Sequence, residues 1–219
     1  MTPTLEAVAR FLGSGPEALG NREREALLRV AAEAERETCF RLTARQVKKT
    51  PSGGEGVLLP GRDAQRLLRD AEEVLFFCGT LGAESARWIR RSFLKDPAEG
   101  VIADACASAL LEAALDRYER ERTADFRARG KFLTDRFSPG YGDLPLGVQR
   151  DICALLETQR RLGVTLTDSL MLLPEKTVTA FMGVCPTPQP HRALWEGGCE
   201  TCAAKEGCLY RQRGGNCHG

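Results

Sequence analysis

Apolar residues recur along this chain in two periods, and the switches between them divide it into elements. Leu5, Val8, Phe11 and Leu12 return at helical spacing and stop at Gly13, which predicts a short helix over 4–13. After a turn-rich stretch from Ser14 to Gly20, Asn21 can cap a second helix carrying Leu27, Leu28, Ala31 and Ala34. Alternation over 39–43 predicts a strand, 50–56 a flexible glycine loop, and Val57 to Leu59 a second short strand. A helical pattern over 63–68 leads into the run from Glu73 to Cys78, which is apolar enough to be a buried strand and ends in Gly79-Thr80-Leu81-Gly82. An amphipathic helix follows from Ala83 to Leu94 through Ala86, Ile89 and Phe93.

The helix predicted over 99–121 is of a different kind. Between Val101 and Leu115 only Asp104 and Glu112 are charged, and alanines at 103, 105, 107, 109, 113 and 114 keep it thin, so neighbouring backbones can approach closely. On a helical wheel Glu112 falls between Val101 and Ala105, with Asp116 one turn further along. A carboxylate in that setting needs a cationic partner, either within the chain or on a ligand. Past Leu115, the charged residues from Glu119 to Lys131 read as an exposed helix end and linker. Val148, Ile152, Leu155, Leu156, Gln159 and Leu162 then mark a helix that Gly163 ends. Two β-type runs, Val164 to Leu173 and Thr177 to Met182, are joined by Pro174-Glu175-Lys176 and predict an antiparallel hairpin. Strand, helix, strand, helix, helix and hairpin in that order make an α+β domain.

Between the long helix and the next one lies Arg136-Phe137-Ser138-Pro139-Gly140-Tyr141-Gly142-Asp143-Leu144-Pro145. Ser138 to Tyr141 reads as a type II turn, in which proline presets the first central residue and glycine takes the positive φ of the second. A stiff turn of this kind holds Arg136 and Tyr141 in fixed relation. Asp143 and Pro145 read as the start of the following helix, whose free amides carry partial positive charge. The loop therefore suits a small ligand with a carboxylate and a flat ring; a plain tight connection with a solvated arginine is the competing reading.

Charge and cysteine usage narrow the class. In 219 residues, 31 lysines and arginines balance 30 acids, which gives no basic patch to recommend nucleic acid. The N-terminus lacks the basic start and apolar run of a secretory signal, and no stretch is long and apolar enough for a membrane span; the expectation is a cytoplasmic protein. Of nine cysteines, Cys39, Cys78, Cys106 and Cys153 are dispersed beside apolar neighbours and read as small core residues. The other five crowd between Cys185 and Cys217, a pattern of metal or redox chemistry in a chain with no secretory signal.

Arg136-x-x-x-Gly140-Tyr141-x-x-x-Pro145, the helix after it, and the run from Leu166 through Pro174-Glu175-Lys176-Thr177 to Gly183 resemble the activation (reactivation) domain of cobalamin-dependent methionine synthase. The resemblance extends back through Phe77-Cys78-Gly79-Thr80-Leu81-Gly82 and the alanine-rich helix with Glu112 to the opening helix, which is typical of free-standing single-domain relatives, and so covers residues 4–184. It implies one domain over 1–184, with a curved antiparallel sheet and flanking helices, and a separate Cys-rich tail over 185–219. It also implies S-adenosylmethionine binding, delivery of that methyl group to cobalt on inactive cob(II)alamin, and an electron from a flavodoxin- or ferredoxin-like donor. By position, Arg136, Gly140 and Tyr141 match the family's ligand-binding motif, and Glu112 a carboxylate on the long helix. Arg136 then takes the ligand's carboxylate, and Glu112 or, second, Asp143 its ammonium and sulfonium.

The chain has no Asp-x-His-x-x-Gly for cobalt ligation, so the corrinoid arrives on another protein, a corrinoid-dependent methionine synthase or a relative. Nor does it carry a radical-type cysteine triad or a glycine-rich dinucleotide fingerprint. The tail, with Cys199, Cys202, Cys208 and Cys217, has no equivalent in the fused domain; zinc, an iron–sulfur cluster and plain reduced thiols all remain open, with Cys185 a fifth candidate. Two other functions stay in play: a redox activator of another corrinoid methyltransferase working through the tail, and a non-catalytic S-adenosylmethionine-binding docking module.

Overall fold

In the computed structural model, residues 3–13, 20–189 and 206 are described. The element on which the rest packs is β4 (Glu73–Thr80), as its apolar run predicts. Alternate residues of a strand face opposite ways, and here both faces are covered. Val74, Phe76 and Cys78 enter one core, Leu75 and Phe77 the other. On one side β4 pairs antiparallel with β1 (Arg41–Thr50), and on the other with β8 (Thr177–Cys185). The open sheet has six strands in the order β3-β2-β1-β4-β8-β5, all neighbours antiparallel, with β2 at Gly53–Gly54, β3 at Val57–Leu58 and β5 at Phe132–Leu133.

Four helices cover the first face: α1 (Leu5–Phe11), α2 (Asn21–Glu37), α4 (Gly82–Lys95) and α5 (Pro97–Arg127). Thr4 caps α1 by accepting from the Ala7 amide, and Asp96 caps α5 ahead of a proline in its first turn. Where β4 passes beneath α5, only glycine fits. A Cβ on Gly79 would stand 2.9 Å from Leu115 Cδ2 and from the Phe40 ring. On the opposite face lie α3 (Arg62–Leu67), α6 (Val148–Leu156) and α7 (Thr158–Leu162), which share the second core with Phe76, Phe137 and Phe181.

The α+β class and most elements stand as the pattern implies, but several boundaries and one pairing do not. The strand at 39–43 lies over 41–50, and the glycine loop at 50–56 contains β2, folded back on β1. The helix after the central loop is broken at Glu157, which adopts a left-handed φ of 51° and separates α6 from α7. The long helix runs on to Arg127, so Glu119 lies in its body and not at an exposed end. The expected hairpin between Val164–Leu173 and Thr177–Met182 does not form. Thr165–Leu166 (β6) folds instead on Leu172–Leu173 (β7), while β8 joins the main sheet between β4 and β5. The physical reason is burial. β8 is covered from Thr179 to Cys185, and only the centre of the large sheet offers it two neighbours. Cys185 closes that strand inside the second core and belongs to the sheet; Cys39, by contrast, is exposed. Among the described residues no helix is long and apolar enough to cross a membrane.

Phe181 is fully buried, with its ring centroid 5.9 Å from those of Phe76 and Phe137. Phe181→Ala is expected to cost about 3–5 kcal/mol, read as a lower urea midpoint at unchanged slope.

Candidate functional site

The site begins with an edge pairing. Beyond β5 the chain stays beside β8 until Phe137, which exchanges both backbone hydrogen bonds with Phe181, at 3.0 and 2.9 Å. Phe137 then packs edge-on against Phe181 in the second core. Its neighbour Arg136 must project to the other face, where α5 lies.

There Arg136 meets a row of acids. Its Nη2 donates to Glu112 Oε2 at 2.9 Å and to Asp116 Oδ1 at 3.4 Å, and its Nε stands 3.9 Å from Glu119 Oε2. Positions 112, 116 and 119 share one helical face. The guanidinium side chain is 21% exposed and Glu112 is 44% exposed, so the pair sits at the rim. Arg136 Nη1 is buried and has no hydrogen-bond partner among the described residues. Burial pushes the Glu119 carboxyl above its ordinary range; Arg136 opposes this, while the negative charges of Asp116 and Asp135 add to it. The same stripe continues toward the helix N-terminus, where Lys176, just ahead of β8, donates to Ser108 Oγ and pairs with Asp104, both at 2.8 Å.

After Phe137 the loop closes on itself. Tyr141 N–H donates to Ser138 O at 3.2 Å and Gly140 has φ 89°, the geometry of the expected type II turn. Gly140 N–H also reaches Leu144 O, and Leu144 N–H reaches Tyr141 O. Asp143 departs from expectation. It does not open the next helix, which begins at Val148. Its carboxylate instead accepts from the Arg62 and Asp63 amides, at 2.7 and 3.1 Å, across the start of α3, and these bonds hold its carboxyl below the usual range. The loop is thus pinned at both ends, to β8 and to α3, and from it Tyr141 stands 59% exposed with Leu146 beside Gly140.

The structure therefore brings Arg136 and Glu112 into contact, places Gly140 and Tyr141 on the rigid loop that follows, and turns Asp143 toward α3. Asp116 and Glu119 join the site in the structure, though the sequence pattern alone assigns neither of them to it. Their spacing from Glu112 was the available signal. A groove of about 780 Å³ between α6, α7 and β6 is lined by other residues, among them Arg150, Cys153 and Glu157. No group of three or more metal-ligating side chains is present among the described residues, and Cys199, Cys202, Cys208 and Cys217 lie outside them. Burial pushes the Cys78 and Cys106 thiols up to about 12 and that of Cys185 up to about 11, so none offers a thiolate near neutrality.

An open antiparallel sheet with helices on both faces, and an arginine from its edge seated on an acidic helix stripe, define an α+β domain of two packed layers of helices around one sheet. Among solved structures, one that shares the fold is a crystal structure of the MetH reactivation domain bound to AdoHcy, with a TM-score of 0.60 and 17% identity over 89% of this chain and 73% of that one. At that identity the likeness is one of fold. No family model and no curated protein matches the sequence.

Two carboxylates of the site should titrate with opposite sign. The folded chain holds the Glu119 proton more tightly than the unfolded chain does, so stability from this group falls as pH rises from the ordinary carboxylate range through the raised value. Glu119→Gln should remove that decline in thermal melts run as a pH series. For Asp143 the folded value is lowered. Asp143→Ala should therefore melt below wild type at neutral pH, and the difference should close as pH falls through the carboxylate range.

Proposed function

We propose that this chain binds S-adenosylmethionine at Arg136, Glu112, Gly140 and Tyr141, and serves as a reactivation subunit for a separate corrinoid-dependent methionine synthase. The observation that carries the reading is the Arg136–Glu112 pair beside a pinned Gly140–Tyr141 turn, on a fold shared with an AdoHcy-bound domain.

The residues fit the ligand's charges. One guanidinium faces Glu112, Asp116 and Glu119, so the stripe as a whole is negative and favours a cationic guest. S-adenosylmethionine carries a sulfonium and an ammonium against one carboxylate. The carboxylate is assigned to Arg136, whose side chain keeps 21% of its surface exposed at the rim and which carries more donors than Glu112 engages. Glu112, half exposed, is assigned the positive end. Asp143, already engaged by two amides, is a weaker partner for that end. Tyr141 offers an exposed ring to the adenine, and Gly140, having no Cβ, leaves its backbone open next to Leu146.

When bound, S-adenosylmethionine supplies the methyl group on a good leaving group. The overall change balances: cob(II)alamin on the partner, one electron from a flavodoxin- or ferredoxin-like donor and S-adenosylmethionine give methylcobalamin and S-adenosylhomocysteine. The chain's own residues bind and aim, and none is required as an acid or base. In the tail, the four thiols of Cys199, Cys202, Cys208 and Cys217 suit zinc or an iron–sulfur cluster, and metal analysis with an absorption spectrum of the same sample decides between these and bare thiols.

Calorimetric titration of S-adenosylmethionine tests the site directly. Arg136→Ala should weaken binding by about 1.5–3 kcal/mol. An unchanged titration removes Arg136 from the site. Binding without methyl transfer to cob(II)alamin in the presence of a reductant points instead to a docking module.

A further inference from the structure

The groove of about 780 Å³ that takes no part in this reading is bounded by the outer edge of a strand. β6 and β7 form a two-stranded sheet, so β6 has a second edge with no strand on it among the described residues. Register identifies which residue faces outward. Thr165 is opposite Leu173 and Leu166 opposite Leu172, and Thr167 N–H donates to Met171 O at 2.9 Å. Thr165 and Thr167 therefore turn their backbone groups toward β7, and Val164 and Leu166 turn theirs away. Val164 is already satisfied: its N–H donates to Thr158 O at 3.2 Å and its C=O accepts from Thr158 Oγ1 at 3.0 Å. Leu166 has no such partner among the described residues, and it lines the groove.

The groove's charge is lopsided. Its one acid, Glu157, is clasped by Arg160 at 2.6 Å and Arg161 at 3.1 Å, which hold its carboxyl below the usual range. Arg150, also lining it, is exposed and has no side-chain partner among the described residues. A second groove, of about 320 Å³, lies against Thr165, Leu173 and Pro174 and is lined by Arg90 and by Arg87, which pairs with Glu84. A strand edge with Arg150 beside it, in a groove whose single acid is already neutralised, is complementary to an extended chain bearing acids on alternate residues.

We propose that the β6 edge at Leu166 is a docking site for an extended acidic segment of a partner polypeptide, which adds a strand there and places a carboxylate on Arg150. Backbone pairing supplies the register, and Arg150 supplies selectivity and salt dependence.

The probe is a labelled peptide of about nine residues that alternates glutamate and valine, titrated into the full chain by fluorescence anisotropy. Its lysine–valine counterpart and a version N-methylated at alternate residues serve as controls. The glutamate peptide should bind, the other two should not, and added salt should weaken the complex. Arg150→Glu should weaken it about tenfold with an unchanged melting temperature. In parallel, amide exchange followed by NMR should show Leu166 N–H unprotected in the free chain and protected in the complex. Equal binding of the N-methylated or lysine peptide overturns the proposal, as does an unprotected Leu166 amide at saturation. It is also overturned if the glutamate peptide fails to bind, or if sedimentation shows this edge taken by a second copy of the chain.

Discussion

The exchange of two backbone hydrogen bonds between Phe137 and Phe181 sets the geometry on which the candidate site depends. It fixes the pleat of the edge segment, and a pleat leaves no freedom about facing. Phe137 goes into the core shared with Phe76, and Arg136 goes to α5. A register slip of one residue would bury the guanidinium among phenylalanines and expose a ring, at a cost that neither side chain could offset. The apolar contact thus determines where the charge sits. The same reasoning makes β8 indispensable: its burial on both faces draws it from a local hairpin into the sheet, and it carries the Phe181 that the edge segment reads.

Electrostatics then give the site its sign. α5 buries Leu111 and Leu115 toward the sheet and turns Glu112, Asp116 and Glu119 toward the edge, where one arginine cannot neutralise all three. The raised Glu119 carboxyl reflects that deficit as well as its burial. Lys176 does the same work at Asp104 and Ser108, so two cations from the flanks of β8 are laid on one helical stripe. Residual negative charge near Glu112 is a property of the helix, and it persists whichever rotamer Arg136 adopts.

Elements with a strong period were legible in the sequence, including β4, α1, α4 and the body of α5. So was the turn at Ser138–Tyr141, because proline and glycine leave it little choice. What could not be read was pairing. Thr177 to Met182 looks like half of a hairpin when only its neighbours in sequence are considered, and nothing local reveals that β4, about a hundred residues earlier, is the better partner. Asp143 illustrates the same limit. A carboxylate two residues before a proline reads as a local cap, yet the amides it serves belong to α3, far back in the chain. Glu112 was legible as a residue in need of a cation, and the fold supplied Arg136. Its companions Asp116 and Glu119 share a helical period with it, but their role shows only once the edge strand is in place.

Rigidity and incompleteness meet in the same few residues. The loop from Phe137 to Asp143 is tied to β8 at one end and to α3 at the other, and its interior is crossed by three further backbone hydrogen bonds. A guest that lies against Tyr141 therefore has little loop entropy to remove, the condition under which modest contacts yield useful affinity. Arg136 is held but not saturated. Its Nη2 is committed to Glu112, while its Nη1 is already withdrawn from solvent and has no acceptor among the described residues. Desolvation of that nitrogen has been incurred in folding, and an acceptor brought to it by a shift of the side chain would recover part of that cost. An arginine saturated by its acids would be a strut; one that keeps an unpaired donor beside a stiff exposed turn retains capacity for a further acceptor.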